Sequence, residues 1–493
     1  MNFSWDLFID LGLLSAGLLV ATGLRYRFRF FQRYLIPNAL TAGFLLLPVY
    51  NYVMPLLNLD ADNLGRMVYH LLSLSFISMT LRRGEPKSAR EREEGRGRII
   101  ATSMATLFPW GMQAIVGLVF TVLLMRTVMP DLFPAFGMLL PLGFAQGPGQ
   151  AFAIGEGWVR FGFYGAGSIG LTFAATGFLF SSFGGVFLIN LGIRRRWLDD
   201  HFIAKIDTSA VKSGIYPSRK RRPVGAEMTT ESEAIDSFSL HVGMVLAVYL
   251  VAYLFLLGIT EALALIGPLG ADLAVNLWGI SFIFSALTAI LVRGVMRATG
   301  LDFVVDNRTL TRISGLSVDL MVVSAIAAIS LVVVQAYLLP IILLSLVAGL
   351  LTLLLVPWFC SRIFVDHRFH RALLIFGVST GTLPTGLALL RAIDPEFETP
   401  VARDYMFASG LTFLFAIPFI LAINLPAYAA TSGNMLFLWA AVGVGAAYTV
   451  IVLIVFVIIA RHRAFSWRSR VWMPVRTGGS GVSGGDPAHQ EQP

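Results

Sequence analysis

Two short stretches hold the side chains best suited to gripping a small solute. Residues 141–152 read PLGFAQGPGQAF. Gln146 and Gln150 can each donate and accept hydrogen bonds, Gly147 and Gly149 let the backbone turn and approach a ligand, and Pro148 stops a continuous helix. Residues 377–386 read GVSTGTLPTG, where Ser379, Thr380, Thr382 and Thr385 surround Gly381 and Pro384. Half-helices that meet at such breaks expose unpaired N–H and C=O groups, which suit a carboxylate and a small cation respectively. The plainer alternatives are a structural turn with its glutamines against neighbouring helices, and hydroxyls bonded back to carbonyls around a proline kink.

Asp319 is the most conspicuous acid, seven residues into an apolar run. It reads as an ion-coupling carboxylate grouped with Ser317, Ser75 and Ser78, as an interior acid bonded to such hydroxyls, or as a group near the membrane interface. Asp6 and Asp10 share one face near the end of the first apolar run, where solvation is expected. Enzymatic readings find less material. The single cysteine, Cys360, offers no redox pair or thiolate metal site, no G-x-x-x-x-G-K-[ST] occurs, and GAGSIG at 165–170 has no preceding strand, so it reads as close helix packing. Intramembrane proteolysis would need a second buried aspartate or a mid-span histidine; Asp60 and Asp62 could serve a lipid-linked transferase, but they form an ordinary acidic loop.

The elements that must position these residues follow from composition. Of 493 residues, 56% are hydrophobic and 13% charged, with mean hydropathy +0.75; a soluble domain carries about 25% charged residues. The chain is therefore expected to be an all-α polytopic membrane protein. Apolar windows at 4–24, 36–55, 64–81, 99–125, 163–193, 238–260, 273–292, 313–333, 335–361, 404–425 and 434–460 read as spans, while 134–157 and 371–391 read as re-entrant hairpins. If alternate connections face the cytoplasm, they hold 34 of the 37 Lys and Arg, leaving Arg66, Arg126 and Arg160 outside. That asymmetry sets an external N-terminus and a cytoplasmic C-terminus in a plasma (inner) membrane. It also explains the net charge of +8 without nucleic acid.

Two inverted five-span repeats emerge, 1–193 and 238–425, each with a hairpin between its fourth and fifth spans. A basic loop at 194–237 joins them, an extra span follows at 434–460, and the Gly/Ser-rich tail 461–493 is expected to be disordered. Leu74-Ser75 echoes Leu316-Ser317, and Gln113 echoes Gln335. Broken elements at matching places in opposed halves are the mark of secondary transporters; a channel and a polytopic enzyme are the rival readings. No organic cofactor is expected.

The segments IPNALTAGFLL at 36–46, AQGPGQAFAIG at 145–155 and TGTLPTGLALL at 380–390 resemble the glutamate:sodium symporter family over most of residues 1–425. Gly147 and Gly149 fit the family's Gly-Gly-His-Gly-Thr-type frame, with Pro148 in the histidine's place and Gln150 in the threonine's. Gly381, Pro384 and Thr385 fit its Gly-Ala-Thr-Pro-Thr-type motif, and Asp319 stands where the family is apolar. The resemblance implies sodium-driven symport of glutamate, or of a similar small carboxylate, by a homodimer whose hairpin-bearing core moves like an elevator. A proton remains open as the coupling ion.

Overall fold

A computed structural model describes residues 5–57, 61–83, 89–205, 213–215, 224–265, 267, 274, 277–394, 398–464 and 472, with the side chains of 62, 89–96, 200, 204 and 205 set aside. Most of the tail and the RKRR run at 219–222 lie outside them. Most of the described residues are helical, and no strand occurs among them. Eleven helices are long and apolar enough to cross a membrane, so this is an all-α, multi-pass membrane protein.

The first half of the chain comprises α1 (Asp6–Arg27), α2 (Asn38–Pro48, prolonged by tighter and wider turns to Leu57), α3 (Asp62–Leu81) and α4 (Ala89–Thr127). A helical limb over 136–146 follows, broken at Gly147 from α5 (Pro148–Gly157), and then α6 (Ala166–Arg194). The same order of elements returns in the second half. It runs α7 (Ser237–Ala264), α8 (Ser281–Ala298), α9 (Asn307–Ala327), α10 (Leu338–Ile363), the broken pair α11 (Arg368–Ser379) and α12 (Leu383–Ile393), and α13 (Val401–Ala422). A last span, α14 (Leu436–Ala460), ends the described helices.

Packing cuts across this order. In one bundle, α9 lies against α2 and α3, α8 joins α3 to α7, and α1 covers α2. In the other, α4 is flanked by α10, α13 and α14, while α5 packs on α6 and α11 packs on α6, α10 and α12. The first three helices of both halves thus form one body, and the broken helices of both halves share the second. The bodies meet where α5 crosses α3, with Gly149 laid against Leu72.

Local chemistry fixes the helix ends. Asp306 accepts from the backbone N–H of Thr309 at 2.8 Å and of Arg308 at 3.2 Å, capping α9, and from Glu227 N–H at 3.1 Å, pinning the preceding loop. The Thr309 hydroxyl adds a fourth bond at 2.6 Å. Burial alone would raise this carboxyl's pKa, but the hydrogen bonds outweigh it and hold the group below the usual carboxylate range. Its stabilisation is therefore complete above the ordinary carboxylate pKa and is lost as the pH falls through the depressed folded value. Asp306→Ala is expected to cost about 1–2 kcal/mol of stability. Thermal melting in detergent at neutral pH checks this, and the difference from the parent should shrink in acid.

Several expectations need correction. Asp10 is not left to solvent: it is buried, and accepts from Tyr50 Oη at 2.7 Å and Asn63 Nδ2 at 3.1 Å. Its partners lie 40 and 53 residues along the chain, out of reach of a local reading. Gln335 sits in a short helix, Leu331–Ala336, ahead of α10, so it does not echo Gln113 inside a span. GAGSIG does pack closely, with Gly170 against Ala151 and Gly155 against Gly167.

Candidate functional site

The breaks in the two helix pairs come together. Gly147 has φ 94° and ψ 174°, a conformation open almost only to glycine. A Cβ added there would lie 2.9 Å from Thr382 Cγ2 and 3.8 Å from the Gly381 carbonyl oxygen. The second break is a true hairpin: Gly377 faces Gly386 across it, and Thr382 N–H donates to Thr385 Oγ1 at 2.9 Å to start α12. Pro148 and Pro384 lie in the first turns of α5 and α12, where the missing N–H costs nothing.

A cavity of about 1340 Å³ runs from these breaks between the two bodies. Gln146, Gln150 and Thr382, beside the two breaks, line it together with residues of α3 and α8 from one body and of α4 and α13 from the other. Much of the lining is apolar, including Phe76, Phe282 and Phe413. Arg82, Arg83, Arg293 and Arg297 also line it. Some of that charge is tied down, since Arg83 pairs with Asp302 at 3.3 Å and Arg293 donates to the Thr80 carbonyl at 2.9 Å.

The residues expected to bind substrate divide into three groups. Gln146, Gln150 and Thr382 reach the cavity. Gly147, Gly149 and Gly381 shape the backbone around it, each against a neighbour that leaves no room for a side chain. Ser379, Thr380 and Thr385 are buried behind it. The Thr380 hydroxyl donates to the Phe376 carbonyl at 2.8 Å, the back-bonded arrangement, and Thr385 Oγ1 caps Thr382. The Gln146 Nε2 group is buried without a partner.

The four residues grouped as an ion site do not converge. Ser75 lines the cavity and bonds Ser314 Oγ at 3.1 Å. Ser78 donates to the Leu74 carbonyl and Ser317 to that of Ile313, each within its own helix. Asp319 lies on an exposed face of α9. Five residues separate it from Ser314, which is about 140° around a helix of 3.6 residues per turn, so the two point in different directions.

Other residues at the site were not read as such from the sequence, where Gln113 figured only as a repeat echo. Trp110 on α4 and Thr412 on α13 line the cavity, and each keeps a buried polar atom, Nε1 and Oγ1, without a partner. Gln113 lies one turn beyond Trp110, fully buried, and its Nε2 donates at 3.0 Å both to Thr352 Oγ1 and to the Ser379 carbonyl. It ties α4 and α10 to the second break. A glutamine inside an apolar span was the one available signal. No family model, curated protein or solved structure matches this chain.

Proposed function

We propose that this protein is a secondary active transporter, carrying glutamate or a similar small carboxylate in symport with sodium. The observation that carries the reading is the meeting of two broken helices, at Gly147 and Thr382, beside a large cavity lined by both bodies. The starts of α5 and α12 concentrate positive helix-end potential there, which favours a carboxylate. The cavity arginines would draw an anion toward it. The division into two bodies supports alternating access, in which the body bearing the broken helices moves past the other. The working unit is proposed to be a homodimer with an external N-terminus.

Proteoliposome uptake tests this. Labelled glutamate is expected to accumulate under an inward sodium gradient and to equilibrate without one. Accumulation under a proton gradient instead would reassign the coupling ion. A panel of small carboxylates that accumulates under neither gradient would overturn the transporter reading.

A further inference from the structure

We infer that a dehydrated monovalent cation of sodium size binds behind the second helix break, between Gln113, Thr352 and Ser379. This deepens the transport reading and rests on it for the ion's role in coupling; binding itself is separately measurable. The three side chains come from three different helices and are all fully buried. Both N–H groups of the Gln113 amide are committed, one to Thr352 Oγ1 and one to the Ser379 carbonyl oxygen, each at 3.0 Å. That leaves Gln113 Oε1 as a lone acceptor, and it has no partner. The Ser379 hydroxyl has none either.

Two orphaned oxygens on residues already in contact are a costly arrangement inside a membrane protein, since each forfeits its hydration without replacement. The remaining chemistry of this buried cluster is that of a hard-cation site. Hydroxyl, amide and carbonyl oxygens are the ligands such cations take. Ser379 is also the last residue of α11, so the helix's negative end lies at this residue. The neighbouring Thr380 carbonyl oxygen projects against the bare Cα of Gly177 on α6, so the backbone here carries a further acceptor toward the protein interior. Among the described residues, no Lys or Arg bonds any of these side-chain oxygens.

The location gives the ion a role. Ser379 and Thr382 belong to one turn of chain, and Thr382 lines the cavity while the Ser379 carbonyl oxygen accepts from Gln113. A cation held by Ser379 and Gln113 would fix the break against α4 and α10, presetting Thr382 and the start of α12 for the solute. Ion and solute then favour the same arrangement of one short segment, which is thermodynamic coupling without direct contact.

The test is the melting temperature of the purified full-length protein in detergent, titrated with sodium chloride against choline chloride at constant ionic strength. A saturable rise in sodium, weaker in potassium and absent in choline, is expected. Ser379→Ala and Gln113→Leu should each raise the half-saturating sodium concentration by about tenfold or more. Ser103→Ala is the matched control: its buried hydroxyl on the same helix already bonds the Ile99 and Ala408 carbonyls, so it should leave that concentration unchanged. Equal melting in sodium and choline would overturn the site and assign the orphaned oxygens to water, even if the variants do not fold. Uptake separates the two readings. Transport without sodium-dependent stabilisation defeats the cation site alone, and stabilisation without uptake of any solute defeats the transport reading.

Discussion

Gly147→Val should abolish solute accumulation while leaving a folded, monodisperse protein. The backbone at this position has φ 94° and ψ 174°, so any side chain costs about 1–3 kcal/mol in strain alone. The new Cβ would also press on Thr382 Cγ2 at 2.9 Å. Relief requires the Gly147 backbone to leave this conformation and Thr382 to turn or withdraw, and both disturb the meeting of the breaks on which the transport reading depends. Gly381→Val acts from the other side. Its Cβ would meet Thr385 Oγ1 at 2.7 Å, disturbing the bond that starts α12. A Cβ at Gly147 meets nothing else within 4 Å besides the Gly381 carbonyl, so expression and size-exclusion behaviour of that variant should stay near parental. Gly381→Val, in contrast, also presses on the buried Phe178 ring and the Gly377 carbonyl, each at 3.1 Å, and should lose some stability. Uptake at wild-type rates in either variant would show that the meeting of the breaks is not where solute is held.

The spans were legible because lipid imposes a simple rule: about 20 apolar residues, and basic residues at the ends. Gly147 and Pro148, and Gly381 and Pro384, were legible for a related reason. Turn-forming residues inside apolar sequence must be excused by protein or water around them. What lay beyond reach was the direction each helix faces. Trp110 and Thr412 line the cavity, but on a span they read like any lipid-facing aromatic or back-bonded hydroxyl. Asp319 and Ser75 looked like partners because both are polar within apolar runs. Only the packing of α9 against α3 shows that Ser314, not Asp319, is the residue that meets Ser75. Asp10 shows the same limit, since its satisfaction by Tyr50 and Asn63 depends on how α1, α2 and α3 lean together.

The largest stability effect is expected at Asp404, in the first turn of α13. One carboxylate oxygen of this buried residue accepts from Arg371 Nη2 at 2.8 Å and from Arg98 Nε at 3.1 Å. Arg371 is itself 1% exposed and reaches Asp366 Oδ2 at 2.9 Å, while its Nε and Nη1 find no partner and its guanidinium lies 4.9 Å above the Phe364 ring. The cluster joins α4, the start of α11 and the start of α13, so it holds the second broken pair to a wall of the cavity. Removing Asp404 leaves the buried Arg371 with the more exposed Asp366 as its one remaining carboxylate partner among the described residues. Breaking a buried pair in this way costs up to about 3–5 kcal/mol. Asp404→Ala should therefore lower the melting temperature far more than Arg98→Ala. The Arg98 side chain is 30% exposed and can turn to water, and such a change is worth about 1 kcal/mol or less. Acid should expose part of the same dependence through Asp366, outside the spans. Burial raises its pKa, but the Arg371 charge and hydrogen bond outweigh this and hold it below the usual carboxylate range. Its contribution is thus present above the ordinary carboxylate pKa and disappears as the pH falls through the lowered folded value. Equal melting of Asp404→Ala and Arg98→Ala would mean the buried cluster is solvated in the folded protein, and the second broken pair would then be held by apolar packing alone.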